Sequence, residues 1–215
     1  MTDQLAGYIE HTLLKPEAGK NEIIELCQEA LKFSFYAVCI NPSFVKTAAE
    51  ELLGSAVKVC TVIGFPLGAT TTETKACEAA EAVESGAGEV DMVIHVGALK
   101  SGSEQYLIDD ISSVVQAAKG NPVKVIIETG FLDDEEKVLA CRLAEKSGAH
   151  FVKNSTGFGP GKATSAEIKL MRDVVEGRLG VKASAGIKTR TAALEMINAG
   201  ADRIGTSSGI DIICE

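Results

Sequence analysis

The chain has 215 residues, of which 46% are hydrophobic, and its 30 acidic against 21 basic residues give a net charge of −9. This length suits one domain with a substantial core, and the acidic balance argues against nucleic acid or an anionic membrane as a partner. The start of the chain lacks the basic and apolar regions of a secretory signal, and no apolar run reaches membrane-spanning length, so we expect a cytoplasmic protein. The six cysteines form no Cys-x-x-Cys pair, so neither a zinc ribbon nor a disulfide framework is expected.

Short runs rich in β-branched residues alternate along the chain with longer stretches of helical periodicity. These runs predict strands over residues 8–13, 36–40, 57–63, 89–95, 123–128, 151–154, 180–184 and 203–206. The stretches between them predict helices over residues 20–33, 43–53, 73–85, 103–118, 134–147, 165–177 and 189–198. Several helix starts carry capping residues or an acidic first turn, which supports the assignment.

One junction between a helix and the following strand occurs three times. A small residue, glycine and alanine precede two variable positions and an apolar residue, at 85–90, 147–152 and 199–204. Glycine suits the left-handed residue that ends a helix, and alanine lets the chain turn directly into the next strand. Three copies indicate a repeated unit of helix and strand with a very short connection.

Strict alternation of strands and helices predicts a parallel sheet. Eight strands in a chain of this length fit a closed (β/α)8 barrel, the TIM barrel, better than an open sheet. The weak pattern of the first strand keeps the open sheet as an alternative. Only residues 207–215 follow the last strand, so we expect a very short final helix. No linker or composition shift divides the chain, and we predict a single domain over residues 1–215.

Two lysines, Lys153 and Lys182, lie in segments that otherwise read as buried strands. A buried ammonium group is costly unless it is paired or neutralised. Neighbouring parallel strands lie about 4.8 Å apart, so two inward lysines at similar height would bring their ammonium groups close together. Each would lower the proton affinity of the other, and one could become a free amine that attacks carbonyl groups.

A nearby carboxylate would complete such a site, and Asp91 lies on one alternating face of the strand near residue 90. It could hold one lysine charged and pass protons through water. Lowering the pKa of a lysine from about 10.4 to about 7 requires roughly 4–5 kcal/mol, which a neighbouring cation and partial desolvation can supply. The alternative is that a strand lysine reaches outward to solvent, and we expect this of Lys58 and Lys124.

Glycine-rich segments follow the last three predicted strands, at residues 156–161, 185–188 and 205–209. Glycine exposes backbone N–H groups that can hold a dianion, and barrels often bind phosphate with their last two loops. Lys188 would add positive charge there. These segments therefore predict a phosphate site.

The three histidines, at positions 11, 95 and 150, have no metal-ligand spacing. We expect them to form structural hydrogen bonds. The serines at 184, 207 and 208 have no evident histidine and aspartate partners, which argues against serine-hydrolase chemistry. No metal or cofactor is predicted.

A set of short segments occurs in order, without large gaps, from about residue 8 to residue 210. They are His-Thr-Leu-Leu-Lys-Pro at 11–16, Ala-Val-Cys-Ile-Asn-Pro at 37–42, Val-Ile-Gly-Phe-Pro-Leu-Gly at 62–68, Glu-Val-Asp-Met-Val-Ile at 89–94, Ile-Ile-Glu-Thr-Gly at 126–130, and the segments 151–158, 181–189 and 203–208. Together these segments resemble the deoxyribose-phosphate aldolase family. The resemblance is far more specific than any one of the motifs.

The resemblance implies a class I, metal-independent aldolase on a (β/α)8 barrel, which reversibly cleaves 2-deoxy-D-ribose 5-phosphate to D-glyceraldehyde 3-phosphate and acetaldehyde. By position, it makes Lys153 the Schiff-base nucleophile, Lys182 the neighbouring cation that lowers its proton affinity and assists proton transfer, and Asp91 the proton-relay carboxylate. The resemblance also implies that Thr156, Gly157, Gly186, Ser207 and Ser208 surround the substrate phosphate. Lys188 is added to these expected phosphate-binding residues because of its positive charge. A homodimer or homotetramer is compatible with the resemblance.

The motifs depart from the usual family pattern at several positions. The usual Lys-Thr-Ser-Thr contains Asn154, the usual Ser-Gly-Gly-Ile-Arg contains Ala185 and Lys188, and the acidic residue before the first His-Thr is Glu10 rather than aspartate. Alternation points Asn154 away from the expected nucleophile, so little effect is expected there. Ala185 adds a methyl group near the phosphate, which could weaken binding or restrict the loop.

Two alternatives remain open from the sequence. One is another Schiff-base aldolase or a transaldolase that acts on a different phosphorylated sugar. The other is a barrel without catalytic activity that binds sugar phosphates as a sensor or scaffold. The two lysines and Asp91 argue against the second, because a binding protein needs phosphate loops but no paired amines in the cavity.

Overall fold

Eight strands and ten α-helices alternate along residues 2–215, which are the residues that the computed structural model describes. The strands are β1 (Ile9–Leu13), β2 (Ala37–Ile40), β3 (Lys58–Ile63), β4 (Glu89–Val93), β5 (Val123–Ile126), β6 (Phe151–Lys153), β7 (Gly180–Ser184) and β8 (Arg203–Thr206). The helices are α1 (Thr2–Ala6), α2 (Lys20–Phe33), α3 (Val45–Glu51), α4 (Thr72–Glu84), α5 (Val96–Lys100), α6 (Glu104–Ala117), α7 (Asp134–Lys146), α8 (Ser165–Val175), α9 (Arg190–Asn198) and α10 (Gly209–Cys214).

Each strand pairs in parallel with the next along the chain, and β8 pairs with β1, so the sheet closes into a barrel. The register sets Asp91 of β4 beside Lys124 of β5, and Lys153 of β6 beside Lys182 of β7. Side chains alternate between the two faces of a strand, so this register brings charged residues of four consecutive strands to similar heights inside the barrel. The closed barrel confirms the predicted (β/α)8 fold, and the open-sheet alternative is wrong.

Side-chain caps fix the starts of several helices. Thr71, Thr164 and Thr189 each accept a hydrogen bond from the backbone N–H three residues further on, over 3.2–3.3 Å. Asp133 forms a capping box with Glu136, in which each side chain accepts the backbone N–H of the other residue over 2.9 Å. A cap of this kind stabilises a helix by about 1 kcal/mol.

The three repeated junctions have the predicted backbone conformation. Gly86, Gly148 and Gly200 have φ angles of 108°, 81° and 111°. Residues with a side chain rarely adopt this region, so glycine is required where the helix stops and the chain turns into the next strand. The short connections that result keep each helix packed against its strand.

The observed elements match the predicted strands and helices within two residues at each end, and the final helix α10 is short as expected. The sequence did not predict α1 or α5. His95, predicted as the end of a strand, instead precedes α5, where its Nδ1 accepts the backbone N–H of Ala98 over 3.1 Å. No helix among the described residues has both the length and the apolar character needed to cross a membrane.

A buried ion pair ties α4 to α6 on the outside of the barrel. Lys75 Nζ lies 2.5 Å from Asp110 Oδ2, and both side chains are fully buried. The hydroxyl of Thr72 donates to the other carboxylate oxygen of Asp110 over 3.0 Å. The stem of Lys75 packs against Gly64, at the end of β3. This pair therefore fixes the helix layer over the β3–β4 side of the barrel.

Replacing Asp110 with alanine leaves the Lys75 ammonium group buried without its partner. We expect the free energy of unfolding to fall by about 3–5 kcal/mol, as measured by urea denaturation. The control is Asp109→Ala, which removes an exposed carboxylate of the same helix and should leave stability nearly unchanged. Equally small effects of both substitutions would contradict this account of the pair.

Candidate active site

Charged side chains of both signs meet inside the barrel. Three are lysines and three are carboxylates, and none is more than 3% exposed: Lys124 of β5, Lys153 of β6, Lys182 of β7, Glu10 of β1, and Glu89 and Asp91 of β4. The formal charges balance. Buried charges are tolerated only when they are paired in this way, so the six residues form one interdependent network.

Asp91 is the centre of the network because it contacts all three lysines. Its Oδ2 accepts hydrogen bonds from Lys153 Nζ at 2.9 Å and from Lys182 Nζ at 2.7 Å. Its Oδ1 accepts from Lys124 Nζ at 3.0 Å. The nucleophile and cation expected from the sequence therefore share a single carboxylate oxygen.

Of the three lysines, the other two carboxylates contact Lys124 and Lys182 but not Lys153; Glu89 also accepts a hydrogen bond from the Tyr36 hydroxyl over 2.6 Å. Lys124 Nζ lies 2.5 Å from Glu89 Oε2 and 3.5 Å from Glu10 Oε1, and Lys182 Nζ donates to Glu10 Oε2. Lys153 pairs with one carboxylate, that of Asp91, among the described residues. Of the three ammonium groups, that of Lys153 is thus the least neutralised.

These contacts set the protonation states of the network. Burial alone would raise the pKa of Asp91, but the charges of the three lysines hold it well below its usual value. Burial likewise opposes the ionisation of Glu10, whose pKa Lys124 and Lys182 lower. Burial alone would lower the pKa values of Lys124 and Lys182, yet Asp91 and Glu10 raise both well above the usual value. Both lysines therefore stay charged at neutral pH.

A cavity of about 230 Å³ opens at the carboxyl ends of β1, β6, β7 and β8. Lys153 lines it, whereas Lys124 and Lys182 are fully buried in the barrel interior and do not line it. Of the residues expected to bind phosphate, the ones that line this cavity are Thr156, Gly157, Gly186, Lys188 and Ser207. Ser208 lies instead in a neighbouring acidic groove of about 500 Å³. Lys15 borders both spaces, and the sequence analysis did not assign it a role.

The loop after β6 is organised by Glu128. The buried carboxylate of Glu128 accepts hydrogen bonds from Ser155 Oγ at 2.8 Å and from the backbone N–H of Thr156 at 3.2 Å. The Thr156 hydroxyl also donates to it and accepts from the backbone N–H of Phe158 at 3.0 Å. This hydroxyl is therefore used within the loop, and it fixes the chain directly after Lys153.

The expectation that Lys124 reaches outward is wrong, whereas Lys58 is exposed as expected. Lys124 points inward because Asp91 lies beside it in the pairing register and Glu89 lies on the same face of β4. The acidic residues of the neighbouring strand were the available signal. Glu10, noted only as a departure from the family motif, proves to be a member of the network.

The histidines make the hydrogen bonds expected of them. His11 Nε2 lies 2.8 Å from a Glu29 carboxylate oxygen, and His150 Nδ1 accepts the backbone N–H of Val123 at 3.2 Å. Together with the contact of His95 to α5, these bonds give all three histidines structural partners.

Cys39, Cys60 and Asp91 are the group of possible metal ligands that stands out in residues 2–215, with ligand atoms within 4.8 Å of one another. Lys124 Nζ lies 3.5 Å from Cys60 Sγ and 3.0 Å from Asp91. Burial raises the pKa of Cys60 well above its usual value, and a protonated thiol is a poor metal ligand, whereas the hydrogen bond with Cys60 lowers the pKa of Cys39. A cation would therefore have to displace an ammonium group that already neutralises these atoms.

Comparison with known proteins agrees with the geometry. Residues 9–214 match the family described as DeoC/LacD family aldolase. The deoxyribose-phosphate aldolase of Clostridium kluyveri is 58% identical over 211 residues, which cover 98% of this chain and 97% of that protein. The deoxyribose-phosphate aldolase of Thermococcus gammatolerans is 57% identical over 213 residues, which cover 97% of this chain and 95% of that one.

A solved structure also matches the whole barrel. The tetrameric deoxyribose phosphate aldolase from Aeropyrum pernix superposes with a TM-score of 0.93 at 33% identity, over 99% of this chain and 91% of that one. Fold and sequence together define a (β/α)8-barrel lyase of the aldolase type. The chain belongs to the DeoC/LacD aldolase family, which confirms the family expected from its motifs.

A Lys124→Met variant tests the network through the pH dependence of stability. Asp91 and Glu10 have lowered pKa values in the folded state, so their ion pairs stabilise the fold above the usual carboxylate pKa of about 4 and are lost as the pH falls below it. We expect the variant to be about 3–5 kcal/mol less stable near pH 7. The difference from the wild type should shrink as the pH approaches about 3.

Urea unfolding at a series of pH values measures this difference. The control is Lys58→Met, which removes an exposed lysine at the start of β3 and should change stability little at any pH. A loss of stability that is the same at neutral and acidic pH would show that Lys124 acts through packing rather than through its charge.

Proposed function

We propose that this chain is a deoxyribose-phosphate aldolase, which reversibly cleaves 2-deoxy-D-ribose 5-phosphate to D-glyceraldehyde 3-phosphate and acetaldehyde through a Schiff base. The observation that carries the proposal is that, of the three lysines around Asp91, Lys153 alone lines the cavity. The relatives that share most of its length are named for this activity.

Lys153 is the lysine best suited to act as a neutral amine. Lys124 and Lys182 already hold positive charge on the same carboxylate, and nearby positive charge disfavours a further ammonium group. Loss of the Lys153 proton breaks a single ion pair, whereas the other two lysines each contact at least two carboxylates. Lys182 is therefore the cation that favours the free amine, and Lys153 is the nucleophile.

The reaction begins when Lys153 Nζ attacks the aldehyde carbon C1 of the open-chain sugar. Loss of water from the carbinolamine gives an iminium ion, which acts as an electron sink. Removal of the C3 hydroxyl proton lets the C2–C3 bond break, and its electron pair moves toward the iminium nitrogen to form an enamine. D-glyceraldehyde 3-phosphate leaves. Protonation of the enamine at C2 and hydrolysis then release acetaldehyde and restore Lys153.

Asp91 and Lys182 are the groups that move these protons. Asp91 Oδ2 lies 2.9 Å from Lys153 Nζ and 2.7 Å from Lys182 Nζ, which is within the range for direct proton transfer. An ordered water can extend the relay to the C3 hydroxyl and to C2. Burial keeps bulk water away from this transfer and strengthens the electrostatic contacts.

The substrate phosphate binds at the β7–β8 side of the same cavity. Gly186 and Ser207 bring backbone N–H groups to the cavity wall, and Lys188 adds a positive charge. Gly157 lines the same wall, but its backbone N–H donates to Ser155 Oγ over 3.2 Å. Thr156 contributes by holding the first of these loops. Ser208, in the neighbouring groove, stays a prediction for this role, since it adjoins Ser207 at the start of α10.

Assembly as a homodimer or homotetramer stays a prediction, as does a cytoplasmic location. The relative from Aeropyrum pernix is a tetramer, and this supports self-association of the present chain. Light scattering coupled to size-exclusion chromatography gives the mass of the assembly in solution.

Borohydride reduction in the presence of 2-deoxy-D-ribose 5-phosphate tests the nucleophile. The expected result is an adduct on the peptide that contains Lys153, detected by mass spectrometry, and its loss in Lys153→Ala together with activity. Lys188→Gln is the control, because it should keep the adduct. An adduct on another lysine, or an active enzyme that forms none, would exclude this mechanism. A Lys153→Ala protein unchanged in every assay would favour the sugar-phosphate binder.

Lys188→Gln tests the phosphate site separately. We expect KM for 2-deoxy-D-ribose 5-phosphate to rise roughly tenfold, which corresponds to about 1.4 kcal/mol, while activity on unphosphorylated 2-deoxy-D-ribose changes little. A matched substitution of an exposed lysine outside the cavity, Lys46→Gln, should change neither. Steady-state assays that also compare acetaldehyde with dihydroxyacetone as the donor distinguish this enzyme from a transaldolase.

A further inference from the structure

The loops that follow β6 and β7 are tied together directly beside the cavity. Asn154 Oδ1 accepts the backbone N–H of Ser184 at 2.8 Å, and Ser184 Oγ donates to the carbonyl of Ser155 at 2.6 Å. A third bond runs from the backbone N–H of Ala163 to the carbonyl of Ala185 at 3.0 Å. We call these three hydrogen bonds the loop clamp.

The segment that the clamp holds has an unfavourable backbone conformation. Ala185 and Gly186 both have φ angles of 79°. Glycine adopts this left-handed region freely, but alanine does not, because its Cβ crowds the neighbouring backbone. Ser184, Ala185 and Gly186 all line the cavity. The wall of the proposed phosphate site thus includes a residue that would prefer another conformation.

A contribution to stability does not by itself explain why a buried asparagine occupies position 154. Its side chain is fully buried, and its Nδ2 has no hydrogen-bond partner among the described residues. A buried amide with one unpaired half destabilises a fold. What this side chain does provide is an acceptor that reaches the backbone of Ser184, the residue directly before the left-handed pair.

We propose that Asn154 is a positioning residue, which holds the backbone of residues 184–186 in the conformation that binds the substrate phosphate. The inference rests on the proposed function, because it assigns this segment to phosphate binding. Asn154 acts through Ser184 and does not touch the substrate. The effect of Asn154 depends on Ala185. A glycine at position 185 would adopt the left-handed region freely, so the segment would need less stabilisation from the hydrogen bond of Asn154.

This dependence gives a double-mutant test. Asn154→Ala should raise KM for 2-deoxy-D-ribose 5-phosphate about tenfold with kcat nearly unchanged, and kcat/KM for unphosphorylated 2-deoxy-D-ribose should stay within about twofold of the wild type. Adding Ala185→Gly to Asn154→Ala should restore most of the affinity. Ala185→Gly alone is measured beside them, so that the rescue can be read as the coupling between the two positions. The inhibition constant of inorganic phosphate should change in the same way. It should rise in Asn154→Ala and return toward the wild-type value in the double variant.

The control is Asn121→Ala, which also removes a hydrogen bond between an asparagine side chain and the backbone. Here Nδ2 donates to the Ala118 carbonyl over 2.9 Å, near the amino end of β5. This substitution should leave the KM for both substrates unchanged. If Asn154→Ala does not fold, Asn154→Leu serves instead, because leucine has a similar size but no atom that can accept the Ser184 N–H.

Several outcomes would overturn the inference. Equal losses with both substrates, or a KM for the phosphorylated substrate that does not move, would show that the clamp does not position the phosphate segment. The same holds if Ala185→Gly fails to rescue Asn154→Ala. A wild-type protein without activity on 2-deoxy-D-ribose 5-phosphate would instead reject the proposed function, and so the two failures are distinguishable.

Discussion

The carboxylate of Asp91 is the interaction on which the rest of the site depends. It accepts hydrogen bonds from three buried ammonium groups, those of Lys124, Lys153 and Lys182. Without it, Lys153 of β6 would have no carboxylate partner among the described residues, and an isolated buried charge is strongly disfavoured. The lysines of the flanking strands β5 and β7, Lys124 and Lys182, would keep only Glu89 and Glu10 as partners. With it, the same strands can present a lysine at the floor of a cavity.

Stability alone does not account for the buried charges of the network. Replacing a buried ion pair by apolar side chains of similar size is often neutral or stabilising, so an apolar barrel interior would serve the fold at least as well. What the charges provide is a division of roles. Lys124 and Lys182 are held charged by two carboxylates or more, while Lys153 has one ion pair within the described part of the chain and faces the cavity. In the proposed mechanism, this difference leaves Lys153 as the amine that attacks the carbonyl group.

The sequence predicted the strands and helices, and the meeting of Lys153, Lys182 and Asp91 inside the barrel, because both follow from local patterns. Periodicity and the glycine junctions indicated alternating strands and helices, and a lysine in each of two strands marked Lys153 and Lys182. Lys124 was wrongly assigned to solvent because a strand pattern does not show which face points inward. That face depends on Glu89 and Asp91, which lie more than thirty residues away in sequence. The hydrogen bond between Asn154 and Ser184 was not predicted for the same reason, because thirty residues separate the two in sequence.

The most direct test of the account is a crystal structure of the enzyme after borohydride reduction with its substrate. The account predicts continuous density from Lys153 Nζ to the former aldehyde carbon, with Lys182 still bound to Asp91 and the phosphate, where the trapped species retains it, near Gly186 and Lys188. Density that joins the substrate carbon to Lys124 or Lys182, or a substrate bound without any covalent link, would contradict it.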